Sequence, residues 1–311
     1  MRRKIGVVLC VLGMLLAIFG IVWITAIWPS LAKVPADLEQ QVDLQGTVTL
    51  YSAEHGAAVS FDVSGHRKYT ALKASNGIVY LQEDVWFEIA GTDQELKDLR
   101  QQFFLGIDRV TRQNVEGRGD GVGGGHYTFP FNVSKDKWYP FWNEGNPENI
   151  DCKYVGEEDY EGLHLYIFEM STPDGGLATP GSFDTPAMRI DQTIRLYVEP
   201  VTGIPVKMED HTKRSGQIPV QDELFPATGS LSYKDVTFYE DNLVFTEDTI
   251  DDLVGQAKSA KTQVAFAKNV LPWLSIGSGI VLVVAGAFLA RKSSQAALPP
   301  EAETTSGRQA G

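Results

Sequence analysis

The run LPWLSIGSGIVLVVAGAFLA, residues 271–290, carries no charge and is followed at once by Arg291 and Lys292. About 20 consecutive apolar residues suffice to cross the hydrocarbon core of a bilayer. A second uncharged run, residues 5–28, lies near the other end behind Arg2, Arg3 and Lys4. Basic clusters mark the cytoplasmic ends of membrane helices. The sequence therefore predicts two transmembrane helices, 5–28 and 270–290, with a basic start (1–4) and a disordered tail (291–311) in the cytoplasm. Residues 29–269 are then extracytoplasmic, held at the plasma membrane from both ends. The first run exceeds the ~7–15 apolar residues of a signal-peptide core and no A-x-A site follows it, so it reads as an anchor.

Trp23, Trp28 and Trp273 fall at the outer boundary of the two spans, where amphipathic rings prefer to sit. Gly6, Gly13 and Gly20 recur every seven residues, as do Gly279 and Gly286. A seven-residue repeat keeps small residues on one helix face and allows close backbone approach. The expectation is an antiparallel helix pair in which Gly279 and Gly286 meet Gly13 and Gly20, with Pro272 kinking the second helix.

The chain is acidic, with a net charge of −13, and most of the charge lies between the spans. Six of its basic residues but only Glu301 and Glu303 among the acids lie outside 31–269. So acidic a domain argues against a nucleic-acid partner. Cys10 sits within the first span and Cys152 in the external part, so there is no disulfide framework. That usage favours a prokaryotic envelope protein over a heavily oxidised ectodomain.

Between the spans the pattern is mainly period-2, the mark of half-buried strands. Val48 and Leu50, then Val59, Phe61 and Val63, then Val85, Phe87 and Ile89 alternate with polar residues or tryptophan. Later come Leu163, Leu165 and Ile167; Ile194, Leu196 and Val198; and Ile204, Val206 and Met208. Ser64-Gly65 and Asn76-Gly77 supply turns, and Pro200-Val201-Thr202-Gly203 a hairpin. Leu96, Leu99, Phe103 and Ile107 are spaced for a helix of about three turns, and residues 31–45 suit a short helical stalk. The clearest external helix is 245–268, capped by Thr246, with Ile250, Leu253, Val254, Ala257 and Val264 on one face. The fold class is α+β: one mainly antiparallel β domain with a few helices, held between N- and C-terminal transmembrane helices.

No catalytic constellation emerges. The glycine-rich residues 117–125 lack the Lys-Ser/Thr of a phosphate loop, and no G-x-S-x-G elbow is present. His55, His66, His126, His164 and His211 are scattered, which gives no zinc spacing. Asp151, Glu157, Glu158, Asp159 and Glu161 fit no calcium loop and read as a solvated acidic face. Asn132-Val133-Ser134 is a glycosylation sequon. The sequence implies no enzyme, metal or cofactor.

The dense aromatic group within 127–142 has two readings. It builds a local core, or Phe129, Phe131, Trp138, Tyr139, Phe141 and Trp142 line a site for an apolar ligand.

These residues also carry a family likeness. Gly106-Ile107-Asp108-Arg109-Val110-Thr111, Tyr127-Thr128-Phe129-Pro130-Phe131, Trp138-Tyr139-Pro140-Phe141-Trp142 and Tyr197-Val198-Glu199-Pro200-Val201-Thr202-Gly203 resemble, in that order, motifs of an actinobacterial envelope family labelled porin-A-like. The resemblance implies an anchor at each end and a channel. In architecture the chain is also similar to the class B scavenger receptors, whose two terminal spans flank a β-rich ectodomain with a lipid tunnel. There the likeness rests on Glu199-Pro200-Val201-Thr202-Gly203 followed by Arg214, and on the amphipathic helix before the last span. The functional expectation is a membrane-anchored, non-enzymatic envelope protein that binds or passes a lipid or other apolar ligand. The alternatives are a porin-like subunit and an envelope scaffold. Since neither span has a polar stripe, a channel requires a homo-oligomer. The bilayer itself is the first partner.

Overall fold

A computed structural model describes residues 2–28, 32–121, 123–142, 148–173, 176–179, 188–221 and 231–295. Pro29, Val122 and residues 296–311 of the expected tail lie outside the described residues. The chain divides into two compact units, one of the terminal helices and one within residues 32–262.

In the first unit, α1 (Arg2–Val22) runs into a π-helical turn, Trp23–Ile27. At the other end a π turn, Phe266–Val270, precedes a long helix, Leu271–Gln295. Arg3–Ile27 and the helical run Glu247–Arg291 each hold an apolar window long enough to cross a membrane. The terminal helices meet through glycine. A Cβ added at Gly6 would stand 2.6 Å from the Gly286 carbonyl oxygen, and one at Gly13 only 2.5 Å from that of Gly279. Gly20 faces Ile276 and the carbonyl of Pro272, so the register pairs Gly286 with Gly6 and not with Gly20.

Pro272 does not break the helix. In the preceding π turn the Leu271 N–H donates to Phe266 O, five residues back. The same step would pair Ala267 O with residue 272, but proline has no N–H. The Trp23 indole fills that vacancy, donating to Ala267 O at 2.7 Å. Trp23→Phe is expected to cost about 1 kcal/mol, read as a lower thermal midpoint in detergent. An unchanged midpoint would show the bond to be energetically idle.

The second unit is built, among the described residues, on one antiparallel sheet of eleven strands: β1 (Glu39–Ser52), β2 (Ala57–Ser75), β3 (Ile78–Ile89), β4 (Gln101–Asp108), β5 (Tyr139–Phe141), β6 (Ile150–Tyr160), β7 (Leu163–Ser171), β8 (Leu177–Thr179), β9 (Met188–Glu199), β10 (Ile204–Gln221) and β11 (Leu231–Phe245). Their order is β4-β3-β2-β1-β11-β10-β9-β7-β6-β5, with β8 beside β9. Among the described residues, isolated bridges Ile107–Asn114, Gln113–His126 and His126–Phe141 relay from edge strand β4 to edge strand β5. The sheet thus curls around its core, and its edges are bridged. That arrangement removes the exposed strand edge that invites aggregation.

Local chemistry explains the turns. Asn76 (φ 52°) and Gly77 (φ 80°) make the two-residue β2–β3 loop, where both central positions need positive φ. At β9–β10 the Glu199 carboxylate accepts from the Thr202 N–H and hydroxyl at 2.8 and 2.9 Å. Its other oxygen lies 3.2 Å from Lys261 Nζ on α2 (Glu247–Ala265), which ties that helix to the hairpin. Thr246 caps α2 by accepting from the Thr249 N–H, and Leu253, Val254 and Ala257 enter the main core.

Three expectations are corrected. Ser64-Gly65 makes no turn: both residues lie within β2, paired with β1 on one side and β3 on the other, and Gly65 is small because the Phe87 ring packs over it. Residues 101–108 form β4, with Leu105 and Ile107 buried, and only Lys97–Leu99 makes a single 3-10 turn. Leu96 and Leu99 pack on the main core, whereas Phe103 and Ile107 belong to a second cluster, so their helical spacing joins two unrelated contacts. The stalk is not helical either. Val34 exchanges bonds with Arg109, its N–H donating to Arg109 O and its carbonyl accepting from Arg109 Nε, and β1 starts at Glu39.

Candidate functional site

The inward face of β3 reads Val79, Leu81, Glu83, Val85, Phe87, with one carboxylate among four apolar residues. Glu83 is 1% exposed, and Arg67 of β2 places Nε 3.2 Å from its Oε1. Taking two charges out of water costs several kcal/mol per ion, and well-packed apolar residues often serve stability better. The pair stands where two chambers, both open to solvent, approach each other, since Arg67 lines both. Tyr69 and Tyr127 meet edge-on beside it, ring centroids 5.6 Å apart. Burial pushes the Tyr69 phenol up to about 12, and burial together with the Glu83 charge raises Tyr127 well above its ordinary value.

The larger chamber, about 410 Å³, has a polar wall built from β9, β10 and β11. Gln192, Thr212 and Asp241 occupy registered positions on these strands. Gln192 Nε2 donates to Thr212 Oγ1 (2.8 Å), and that hydroxyl donates to Asp210 Oδ1 (2.8 Å). The Thr212 N–H donates to Asp241 Oδ1 (2.9 Å), whose second oxygen accepts from the Tyr239 hydroxyl. Leu50, Val85, Phe87, Leu99 and Phe238 supply apolar surface to the same chamber.

Burial raises the Asp241 carboxyl from 3.8 to about 6, against the lowering effect of the Tyr239 and Thr212 hydrogen bonds, Arg214 and His211. A raised carboxyl favours folding in its neutral form. Its stability is therefore complete below the unfolded value near 4 and is lost as pH climbs through 6. A two-unit shift corresponds to about 2–3 kcal/mol. Asp241→Asn keeps an acceptor for Thr212 and removes the charge. It is expected to raise the thermal midpoint at pH 7.5 and flatten the dependence between pH 4 and 6. A variant less stable than the parent at pH 7.5 would contradict this account.

The smaller chamber, about 120 Å³, has the Arg67–Glu83 pair and Tyr69 in its wall and is otherwise mostly apolar. Phe129, Phe141 and Trp142 line it with Met170, Leu196 and Phe245. Phe129 is fully buried, with ring centroids of Tyr139, Phe141 and Phe168 at 5.3, 4.8 and 4.8 Å. Tyr139 is buried in the core beside it. The other two aromatics of the predicted lining stand apart. Phe131 lies under the Arg112 guanidinium, and Trp138 is 65% exposed beneath Lys153.

The four sequence motifs converge at the bridged edges of the sheet. Arg112, whose guanidinium burial lowers to about 10, donates to the carbonyls of Phe129 and Thr202. Asn132 and Val133 N–H groups donate to Val201 and Pro200 carbonyls. Gly203 has φ 74°, and a Cβ there would stand 2.3 Å from Pro130 O, so only glycine fits. The glycine-rich loop lies along β4, where the Asp120 N–H donates to Phe104 O and its carboxylate accepts from the Phe104 N–H. It works as an edge cover.

The acidic face is cross-linked by ion pairs, Glu157 with Lys135, Glu158 with Lys207 and Glu161 with Lys258, and by a hydrogen bond between Asp159 and His164. His66 pairs with Asp43, His55 with Ser52 and His211 with Asn242, while His126 is buried at the edge relay. Burial pushes the Cys152 thiol up, which suits an inert core residue. The polar wall itself escaped sequence reading. Its signal is a charged residue in phase with inward apolar neighbours, as in Val206, Met208, Asp210, Thr212, Arg214 of β10.

A family model described as porin PorA matches residues 5–288, both terminal helices included. No curated protein matches the chain.

Proposed function

Because the chain belongs to the porin PorA family, we propose that it is a two-pass, non-enzymatic envelope membrane protein whose β domain admits a small amphipathic solute to its interior. Both termini are cytoplasmic, because the basic clusters at residues 2–4 and 291–292 flank the spans. One observation carries the reading: a chamber of about 410 Å³ with one polar wall and a mostly apolar one of about 120 Å³ share Arg67. Ligand sites are commonly concave and mostly apolar, with a few placed polar groups. The expected apolar ligand gives way to one with a polar end, since the larger chamber carries charged side chains and the aromatic group lines only the smaller. Native mass spectrometry of the full chain released from nanodiscs tests this. A small adduct retained by the wild type and lost on Leu99→Trp, which narrows the polar chamber, is expected. An adduct that survives the substitution, or a wild type without one, rejects the reading.

Family membership favours a second reading, a channel subunit. The terminal helices present apolar faces, so a water-filled path along them would need several copies. Conductance across planar bilayers that rises with a power of protein concentration above one would support it. No conductance at any ionic strength would exclude it.

A further inference from the structure

Resting on the proposed uptake of an amphipathic solute, we infer that the larger chamber selects a ligand with a cationic, ammonium-type head, held by Asp210 and Asp241 with its hydrocarbon part against Leu50, Val85 and Phe238. The charges of the wall argue for this. Asp98, Asp210 and Asp241 face the chamber with Arg67 and Arg214, and Arg67 already stands against Glu83. Among the described lining residues three carboxylates face two guanidiniums, one of them engaged by Glu83, and a cation entering the chamber reduces the imbalance.

Geometry places two of these acids together. Thr212 joins them, since its hydroxyl donates to Asp210 and its N–H to Asp241. Both carboxylates also raise the Tyr239 phenol, after burial, so both act on one point in space. Arg214 is spread over the Tyr239 ring at 5.3 Å, and the charges and hydrogen bonds around Asp241 offset its burial only in part. A carboxylate kept in a cleft where its charge is disfavoured is a candidate functional group. A bound ammonium would add counter-charge beside it, and the ring faces of Tyr239 and Phe238 attract cations as well.

The test uses the full chain in nanodiscs, with empty nanodiscs subtracted, and isothermal titration of hexylammonium, hexanoate and hexanol at pH 7.5. Hexylammonium is expected to bind at least about tenfold more tightly than hexanoate. Asp210→Asn and Asp241→Asn should each weaken it by about tenfold or more, while Asp248→Asn on α2 leaves it unchanged. Hexanoate binding as tightly as hexylammonium, or both chamber variants retaining full affinity, overturns the cationic head and leaves the uptake of amphipathic solutes standing. Failure of all three probes to bind removes both.

Discussion

Gly13→Leu is expected to separate the two terminal helices. A Cβ at this position would stand 2.5 Å from Gly279 O and 2.8 Å from Val283 N, and neither backbone atom can rotate away. The helices can relieve the clash only by moving apart. That motion would also open the Gly6–Gly286 approach and stretch the bond from Trp23 to Ala267. Helix association in a bilayer depends on close packing and interhelical hydrogen bonds, because lipid offers no hydrophobic drive. The cost should reach the top of the ~1–3 kcal/mol usual for overpacking, about a hundredfold in the pairing equilibrium. Cys10 Sγ lies 3.5 Å from Val283 O, so a short bismaleimide linking Cys10 to a Val283→Cys partner reports the pairing. The crosslink should nearly vanish in Gly13→Leu and persist in Gly277→Leu, since nothing lies within 4 Å of a Cβ at Gly277. Equal yields in the two variants would refute close packing at Gly13.

The two apolar terminal helices, most inward strand patterns and the Asn76-Gly77 and 200–203 turns are legible because each is written locally. A period of two, a capping threonine or an uncharged run needs only neighbours to be read. The β4 segment was not, because Leu96, Leu99, Phe103 and Ile107 mimic one helix face while serving two separate clusters. The polar chamber is less legible still. Arg67, Gln192, Asp210 and Asp241 sit one to a strand, and only the β2-β1-β11-β10-β9 order brings them to one chamber. The aromatic motifs present the reverse case. They are conspicuous in sequence because rings bury large areas, and in the fold they serve mainly to bridge the sheet edges.

That division of labour makes Phe129→Ala the second large effect. Phe129 is fully buried against Tyr139, Phe141 and Phe168 and lines the smaller chamber. Removing a buried phenylalanine costs about 3–5 kcal/mol, more where the surroundings cannot collapse. Here they cannot. The Phe129 carbonyl is held by Arg112, and a Cβ on Gly203 would lie only 2.5 Å from it, so the backbone has no room to sink into the void. The lost ring volume would instead enlarge the 120 Å³ chamber, which places the cost at the upper end. For a domain of this size the thermal midpoint should fall by about 10 °C or more. Trp138→Ala, with its ring 65% exposed, should move it by less than about 1–2 °C. If both variants melted with the parent, the aromatic group would not be the core that bridges the sheet. If Trp138→Ala alone destabilised the domain, the outer ring would be the one that matters.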